Sequence, residues 1–266
     1  MLELLEQLFR QVRAYAQAER YDRKQIYAQS AKHTTMQFDR DAEDIIINGL
    51  TASGLGFEII TEERPTFCTS DTPAYRIVVD PIDGSTNVGR GIMTAAVSLA
   101  VLPIEAPILP EQVQWALVGE LFSGAVYEAQ RGNGAFRNGR RCQTSTVTDI
   151  YNCLAGMNMD SNHTQTIKAL LTEEPVLGRV RRSGSSAMDS VYVASGTYDA
   201  YIDVGNNTTG ESFLASASIA LEAGGVLSDH EGKALRPVTN LVEKFSLVLS
   251  GNQKLHQEIL ARIKPS

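Results

Sequence analysis

Apolar residues recur at helical spacing near the start of the chain. Within residues 1–21 they stand at Leu2, Leu5, Leu8, Phe9, Val12, Tyr15 and Ala16. Steps of three or four residues predict an amphipathic helix that packs on the rest of a domain. A second apolar group, Ile45 to Ile47 with Leu50, predicts another helix over 39–50.

Short apolar runs of strand length follow the two helices. They cover residues 57–60, 75–79, 95–102, 114–120 and 124–130. Pro81 is expected to stop the strand that begins at Tyr75, and Asn138-Gly139 is the strongest short hairpin signal in the chain. A helix pair followed by strands in hairpin succession predicts an α+β arrangement with an antiparallel sheet.

The rhythm changes near Cys153, where strands and helices begin to alternate. The expected strands cover 153–157, 180–182, 198–204 and 245–250, and the expected helices 164–172, 186–195, 213–223 and the end of the chain. Such alternation is typical of an α/β layer. We therefore expect an N-terminal α+β domain over 1–145 and a C-terminal α/β domain over 146–266, with a cleft between them for a site.

The net charge of the chain limits the classes of molecule that it is expected to bind. A net charge of −7 and a pI near 5.2 argue against nucleic acid or an anionic membrane as the main partner. A phosphate ester is still compatible with an acidic protein if metal ions supply local positive charge. No apolar stretch is long enough to span a bilayer, and residues 1–21 lack the features of a signal peptide.

The cysteines and histidines point to no metal or disulfide framework. Cys68, Cys142 and Cys153 are far apart, without a C-x-x-C pair, and suit reduced thiols in a cytoplasmic protein. His33, His163, His230 and His256 have no paired metal spacing and are expected at the surface.

The most informative stretch runs from Val78 to Asn87. An apolar strand ends in Asp80 and Asp83, followed by Gly84, Ser85 and Thr86. Two carboxylates are costly to hold close together unless a cation lies between them, and Mg²⁺ takes oxygen ligands of this kind. The turn at Gly84 lets hydroxyl and amide groups face an anion. A metal beside a phosphate indicates phosphoryl chemistry, although Asp-Gly after a strand is equally the sequence of an ordinary turn.

Two further carboxylates lie at the ends of predicted elements. Asp39 begins the second helix and Glu62 ends the strand over 57–60. Together with Asp80 and Asp83, Glu62 could hold two metal ions that activate a water for in-line displacement. Taken singly, Glu62 beside Glu63 and Arg64 favours a solvated turn residue, and Asp39 could equally be a helix N-cap. The basic group Arg179, Arg181 and Arg182 either meets a second phosphate or forms a solvated strand edge.

Several motifs together resemble one family. They are Thr61-Glu62-Glu63, Asp80-Pro81-Ile82-Asp83-Gly84-Ser85-Thr86-Asn87, Gly134-Ala135-Phe136-x-Asn138-Gly139, Asp199-Ala200-Tyr201 and Glu222-Ala223-Gly224-Gly225. In order and spacing the chain resembles the inositol monophosphatase family, part of the Mg²⁺-dependent, lithium-sensitive phosphatases that include fructose-1,6-bisphosphatases. The resemblance implies a layered αβαβα sandwich of the sugar-phosphatase type with antiparallel or mixed sheets, and a homodimer.

The resemblance also assigns roles by position. It implies two or three Mg²⁺ ions held by Glu62, Asp80, the carbonyl of Ile82 and Asp83. It implies that Ser85 and Asp39 activate the attacking water, and that Gly84, Ser85 and Thr86 bind phosphate oxygens. The implied substrate pocket also includes Gly184, Ser185, Ser186 and, as a partner of polyol hydroxyls, Asp203.

One departure from the family pattern concerns the second metal. The family has an Asp ligand at a helix start twelve residues before the Gly-Gly pair, and this chain has Ser212 there, preceded by Glu211. A hydroxyl is a far weaker Mg²⁺ ligand than a carboxylate. Either Glu211 replaces the missing ligand or the second site is weakened; Glu211 is also an ordinary first-turn helix residue.

These observations leave three hypotheses for function. The first is a Mg²⁺-dependent phosphomonoesterase acting on a small polyol or sugar phosphate, with inositol 1-phosphate as the default substrate. The second is a fructose-1,6-bisphosphatase or a dual-specificity sugar phosphatase. The third, supported by Ser212, is a catalytically weakened paralogue that binds a phosphorylated metabolite.

Overall fold

The computed structural model describes residues 1–18, 26–29, 34–159 and 164–263. Its helices are α1 (Leu2–Gln17), α2 (Gln37–Ala52), α3 (Ser85–Arg90), α4 (Thr164–Thr172), α5 (Ser186–Ala194), α6 (Gly210–Glu222) and α7 (Gln253–Ile263). All the helices expected from apolar spacing are present, and α2 begins two residues earlier than expected. The end of the first expected helix, residues 19–21, lies outside the described residues.

Eight strands form the first sheet, and two more make a small separate ribbon. The strands of the large sheet are β3 (Phe57–Thr61), β4 (Phe67–Cys68), β5 (Tyr75–Asp83), β6 (Ala96–Pro103), β7 (Trp115–Glu120), β8 (Val126–Gln130), β9 (Gly134–Arg137) and β10 (Arg140–Arg141), in the order β10-β9-β8-β7-β6-β5-β3-β4. Strands β1 (Ile26–Gln29) and β2 (Thr34–Met36) pair with each other in an antiparallel ribbon.

Two details of the large sheet differ from expectation. Strands β3 and β5 are parallel, while the other pairs are antiparallel, so the sheet is mixed. Pro81 does not stop β5, because the register against β6 shifts between Asp80 and Asp83. The extra residue of this bulge leaves an unpaired position where proline needs no ladder donor.

The second sheet has five strands. They are β11 (Leu154–Asn158), β12 (Arg179–Arg181), β13 (Ala200–Thr208), β14 (Val226–Ser228) and β15 (Phe245–Ser250), in the order β12-β11-β13-β15-β14. Strand β11 is parallel to both neighbours, and β13, β15 and β14 are antiparallel in succession. The first sheet ends at Arg141 and the second begins at Leu154; the division into domains 1–145 and 146–266 stays a prediction.

Three apolar clusters separate five layers. The first joins α1 and α2 to one face of the large sheet. The second joins the other face of that sheet to α5, α6 and one face of the five-stranded sheet. The third joins the opposite face of the five-stranded sheet to α4 and α7. In β13, Tyr201 faces α5 and α6 while Ala200 and Ile202 face the outer helices. This alternation on two buried faces explains the continuous apolar strands, and it confirms the αβαβα sandwich.

The remaining expectations have mixed outcomes. Cys142 and Cys153 are buried and Cys68 is exposed. His256 is buried against Ser228 and Ser250, so its expected surface position is wrong. His33 and His163 lie outside the described residues. In the part of the chain that is described, no helix has the length and apolar character needed to cross a membrane.

Candidate metal and phosphate site

The end of β5 places two carboxylates inside the protein. The bulge between Asp80 and Asp83 keeps both side chains on the buried end of the strand, and Asp80 is only 4% exposed. The Ile82 amide donates to Asp80 Oδ1 at 3.1 Å. Gly84 then turns the chain with φ of 103°, a left-handed value that glycine adopts without strain, and α3 begins at Ser85.

Ser85 and Asp39 form a hydrogen-bonded pair. The Ser85 hydroxyl donates to Asp39 Oδ1 at 2.7 Å, and the Ile82 carbonyl oxygen lies 2.9 Å from the same hydroxyl oxygen. Asp39 is the third residue of α2, not its N-cap, and its other oxygen accepts from the Met36 amide. Burial raises the pKa of Asp39 to about 7, and the nearby charges of Glu63 and Glu62 act in the same direction.

The start of α6 brings Glu211 and Ser212 to the same place. The Ser212 hydroxyl donates to Asp80 Oδ2 at 3.3 Å. Glu211 is 3% exposed; Thr209 donates to its Oε1, and its Oε2 has no hydrogen-bond partner among the described residues. Burial raises the pKa of Glu211 to about 7, with contributions from Glu62 and Asp83. Both residues at the departure from the family pattern therefore lie beside the β5 carboxylates.

Glu62 lies at the rim of the carboxylate cluster. It is exposed, in the bend that follows β3. The pKa of Asp80 is raised well above its ordinary value, first by burial and then by the charges of Asp83, Glu62, Glu211 and Asp39. These five acidic residues are the carboxylate cluster. Of the ion pairs between described residues, none involves Asp39, Asp80, Asp83 or Glu211.

A second acidic group, which the sequence reasoning missed, holds the bend that carries Glu62. Glu43 is completely buried and accepts from Thr61 Oγ1 at 2.7 Å, Arg40 at 2.9 Å and Arg64 at 2.5 Å. Arg40 also donates to the Glu63 carbonyl oxygen at 3.0 Å. The only signal in the sequence is the spacing of Glu43 four residues after Asp39, which puts both on one face of α2.

The start of α5 closes the other side of Asp83. Ser185 is the N-cap of α5, and both its hydroxyl and the Ala187 amide donate to Asp83 Oδ2, the latter at 2.7 Å. Burial raises the pKa of Asp83 to about 6, although these hydrogen bonds favour its charged form. Gly184 has φ of 81°, and a Cβ there would lie 2.9 Å from the Asn87 side chain.

A cavity of about 160 Å³ opens beside Asp83. It is lined by Asp83, Met157, Asn158, Arg182, Gly184, Ser185, Ser186, Asp189 and Tyr201. The Tyr201 hydroxyl donates to Ser186 Oγ at 3.0 Å. Asp189, also missed from the sequence, is buried with one oxygen lacking a hydrogen-bond partner within the described ranges, and burial raises its pKa to about 7. Arg182 gives this cavity a cationic wall.

Thr86 and Asp203 are the remaining predicted site residues, and they differ in exposure. Thr86 is exposed on α3, next to Ser85. Asp203 is completely buried and accepts from Asn158 at 3.2 Å, from Thr208 and from the Gly205 amide at 2.9 Å. These three donors occupy the Asp203 carboxylate, so contact with a polyol would require exchange of one of them.

The donor set suits a divalent cation. Within the described ranges, no three His, Cys, Asp or Glu side chains already stand in the arrangement of a metal site. A hard cation would nevertheless relieve the repulsion at Asp80 and supply a partner for Glu211 Oε2, which has none in the described part of the chain. Carboxylate and carbonyl oxygens, without sulfur or imidazole, are the donors that Mg²⁺ prefers.

The layered sandwich and the carboxylate cluster at its strand and helix ends together define a sugar-phosphatase type of protein. The inositol monophosphatase family model matches residues 2–266, and the chain belongs to this family. It is therefore a phosphatase of that family.

Two relatives and one solved structure illustrate what the chain is similar to. A fructose-1,6-bisphosphatase/inositol-1-monophosphatase of Methanothermobacter thermautotrophicus is 31% identical, covering 86% of this chain and 83% of the relative. The Nus factor SuhB of Pseudomonas aeruginosa is 30% identical, covering 93% and 89%. The crystal structure of the extragenic suppressor protein suhB from Bartonella henselae superimposes with a TM-score of 0.83 at 25% identity, covering 100% and 98%.

Proposed function

We propose that this protein is a Mg²⁺-dependent phosphomonoesterase that hydrolyses a small polyol or sugar phosphate, with inositol 1-phosphate as the first substrate to test. The observation that carries the proposal is the buried group Asp39, Asp80, Asp83 and Glu211, which makes no ion pair within the described ranges and includes the Asp39 partner of Ser85. Carboxylates placed in this way suit cation binding better than structural support, since their mutual repulsion destabilises the fold.

Glu62, Asp80, the Ile82 carbonyl, Asp83 and Glu211 are the proposed metal-holding groups. When bound, Mg²⁺ would supply positive charge at the phosphate and make a nearby water more acidic. Ser85 orients the attacking water, and Asp39 accepts its proton through the Ser85 hydroxyl, at the 2.7 Å contact between them. A pKa of Asp39 near 7 suits a group that must take up a proton at neutral pH.

The remaining predicted residues are assigned to the substrate. The amides at Gly84, Ser85 and Thr86 surround the start of α3 and bind phosphate oxygens. Gly184, Ser185 and Ser186, at the start of α5, face the alcohol portion across the small cavity. Asp203 contacts a polyol hydroxyl only if one of its present donors is exchanged.

The family has an aspartate metal ligand at the position of Ser212. Glu211, the preceding residue, is proposed to hold the metal instead. It is the first-turn carboxylate of α6, its Oε2 has no partner among the described residues, and it adds to the raised pKa of Asp80. Ser212 instead donates a hydrogen bond to Asp80. We infer that the second metal is held by Glu211 and that Ser212 orients Asp80.

A dual-specificity sugar phosphatase, active on fructose 1,6-bisphosphate, is the second candidate. Arg182 lines the cavity beside Asp83, where a second phosphate of a bisphosphate substrate would meet it. The Methanothermobacter relative carries both activities in its name. Competition between fructose 1,6-bisphosphate and inositol 1-phosphate decides between the two, because a clear preference for the bisphosphate would favour the second candidate.

The decisive experiment measures phosphate release from inositol 1-phosphate by the purified protein, with Mg²⁺ and with excess chelator. Rapid release that depends on Mg²⁺ is the expected result. Absence of release from both this ester and fructose 1,6-bisphosphate would contradict the proposal. That outcome would favour a metabolite-binding paralogue weakened at Ser212.

The assembly and location follow the family resemblance. We expect a homodimer and a cytoplasmic protein. Sedimentation equilibrium with and without Mg²⁺ tests the first expectation, with a mass of twice 29.0 kDa as the expected result.

A further inference from the structure

A cluster of arginines lies outside the catalytic site. Residues 129–148 contain four arginines and no aspartate or glutamate, in a chain of net charge −7. Two of the four, Arg137 and Arg140, flank the two-residue turn between β9 and β10. That turn is tight because Asn138 and Gly139 both have positive φ, 49° and 73°.

The hairpin places two like charges directly opposite each other. Arg137 and Arg140 are register partners, so their side chains leave the same face of the ribbon. Tyr127 is the partner of Arg137 on β8, and the Arg137 guanidinium lies 5.2 Å from the centre of the Tyr127 ring. No ion pair joins either arginine to a carboxylate within the described ranges. A facing pair of like charges is unfavourable unless an anion lies between them.

Arg137 and Arg140 line a surface cavity of about 480 Å³. Besides Arg137 and Arg140, its walls include Asn138, Gln143 and Ser195, all of which carry hydrogen-bonding side chains. Arg141 also borders the cavity, but its guanidinium lies over the Phe136 ring and near the Asn133 carbonyl oxygen. None of the cavity residues belongs to the proposed catalytic site.

We propose that this cavity is a second anion site, which binds a small phosphate or a phosphate ester between Arg137 and Arg140. Guanidinium groups bind phosphate oxygens through paired, charge-assisted hydrogen bonds, and the Gln143 side-chain amide offers a further donor. The Ser195 hydroxyl already donates to the Val191 and Tyr192 carbonyl oxygens. A small anion fits better than a nucleic acid, because four arginines are a small footprint on an acidic chain. Glu222 and Glu128 both border this stretch. Glu222 accepts from the amides of Gly132 and Gly134 at the far end of β9, and Glu128 is the register partner of Phe136; neither lines the cavity.

Calorimetric titration of the metal-free protein with inorganic pyrophosphate tests the site. The titration is done at pH 8, where the metal-free carboxylate cluster carries negative charge and disfavours the probe, so that binding reports on the arginine cavity. We expect saturable binding at one site per chain, weakened about tenfold or more in Arg140→Gln. The matched control is Arg131→Gln, which removes the same charge from the same stretch but does not line the cavity; its affinity should stay within about twofold.

Two results would overturn the proposal. One is no saturable binding by the wild-type protein, and the other is an equal effect of Arg140→Gln and Arg131→Gln, which would mean attraction by overall charge. Arg140 is exposed on a two-residue strand, and a thermal unfolding curve matching the wild type would show that the variant is folded. Failure of this site would leave the proposed phosphatase activity untouched, since the two share no residue.

Discussion

Glu43 and Glu211 are both buried glutamates on helices, and their surroundings are opposite. Glu43 has three donors, two of them arginines. Glu211 has one hydroxyl donor, an oxygen without a partner in the described part of the chain, and three acidic neighbours whose charges interact with its own. A buried charge that is fully paired holds structure, whereas one left unpaired among like charges indicates a place for a missing cation. Glu43 therefore has the surroundings of a structural residue, and Glu211 has those of a cation ligand.

Asp80→Asn is expected to produce the largest effect. Replacing the central carboxylate removes a metal-holding group and charge stabilisation, and turnover should fall about 1,000-fold or more. The fold should persist, because Asn has the same shape and the raised pKa of Asp80 shows a charge that is costly to bury. Phosphate release and thermal unfolding measure the two consequences. Activity close to wild type would contradict the proposed metal site.

Glu43→Gln tests whether the buried, fully paired carboxylate of Glu43 stabilises the fold. The substitution leaves Arg40 and Arg64 facing a neutral group, so the free energy of unfolding should fall by about 3–5 kcal/mol. Denaturant unfolding gives this quantity. The control is Glu6→Gln, whose pair with Arg10 is exposed and should cost less than about 0.5 kcal/mol. Equal effects of the two substitutions would remove the distinction drawn between Glu43 and Glu211.

Glu211→Gln should lower activity and raise the stability of the metal-free protein, whereas Glu43→Gln should lower stability. Activity is expected to fall about 10- to 100-fold, while the metal-free protein becomes more stable near pH 8, because a buried charge among like charges is gone. Ser212→Ala is the matched neighbour, and it should change activity less than about threefold. If Ser212→Ala is the more damaging change, or Ser212→Asp greatly raises activity, the natural second metal site is impaired and Glu211 is not its ligand.

The stability of the metal-free protein should depend on pH in a defined direction. Burial raises the pKa of Asp83 to about 6 and those of Asp39, Asp189 and Glu211 to about 7. A carboxyl with a raised pKa favours the folded state while protonated. That contribution is complete below the unfolded pKa of about 4 and is lost as the pH rises through the folded pKa.

The unfolding temperature without metal should therefore fall between about pH 4 and pH 8. Mg²⁺ should restore it most at the upper end, where the carboxylates are charged and bind the cation. Unfolding temperatures that are equal with and without Mg²⁺ at pH 8 would contradict a cation site in the carboxylate cluster.

The sequence predicted the parts of this site that lie close together in the chain. Asp80, Asp83 and Ser85 were proposed because one strand and one turn carry them, and Asp39 and Glu62 because they lie at the ends of predicted elements. Glu211 was proposed because it precedes Ser212, where the chain departs from the family pattern. Glu43 and Asp189 were missed, since burial and hydrogen bonding to distant residues leave no local pattern. The continuation of β5 through Pro81 was missed for a similar reason: a bulge depends on the neighbouring strand.

The helices of the sandwich have one further consequence, which concerns the electric field at the site. Four helices begin at the site. The first turns of α2, α3 and α6 carry Asp39, Ser85 and Glu211 respectively, and the start of α5 carries the two groups that donate to Asp83. The amino end of a helix carries roughly half a positive charge from its aligned peptide dipoles. Four such ends converge on one group of carboxylates, so part of their repulsion is offset by the backbone itself. Side-chain substitution cannot remove that field, because it comes from the backbone and is the same with and without a bound metal ion.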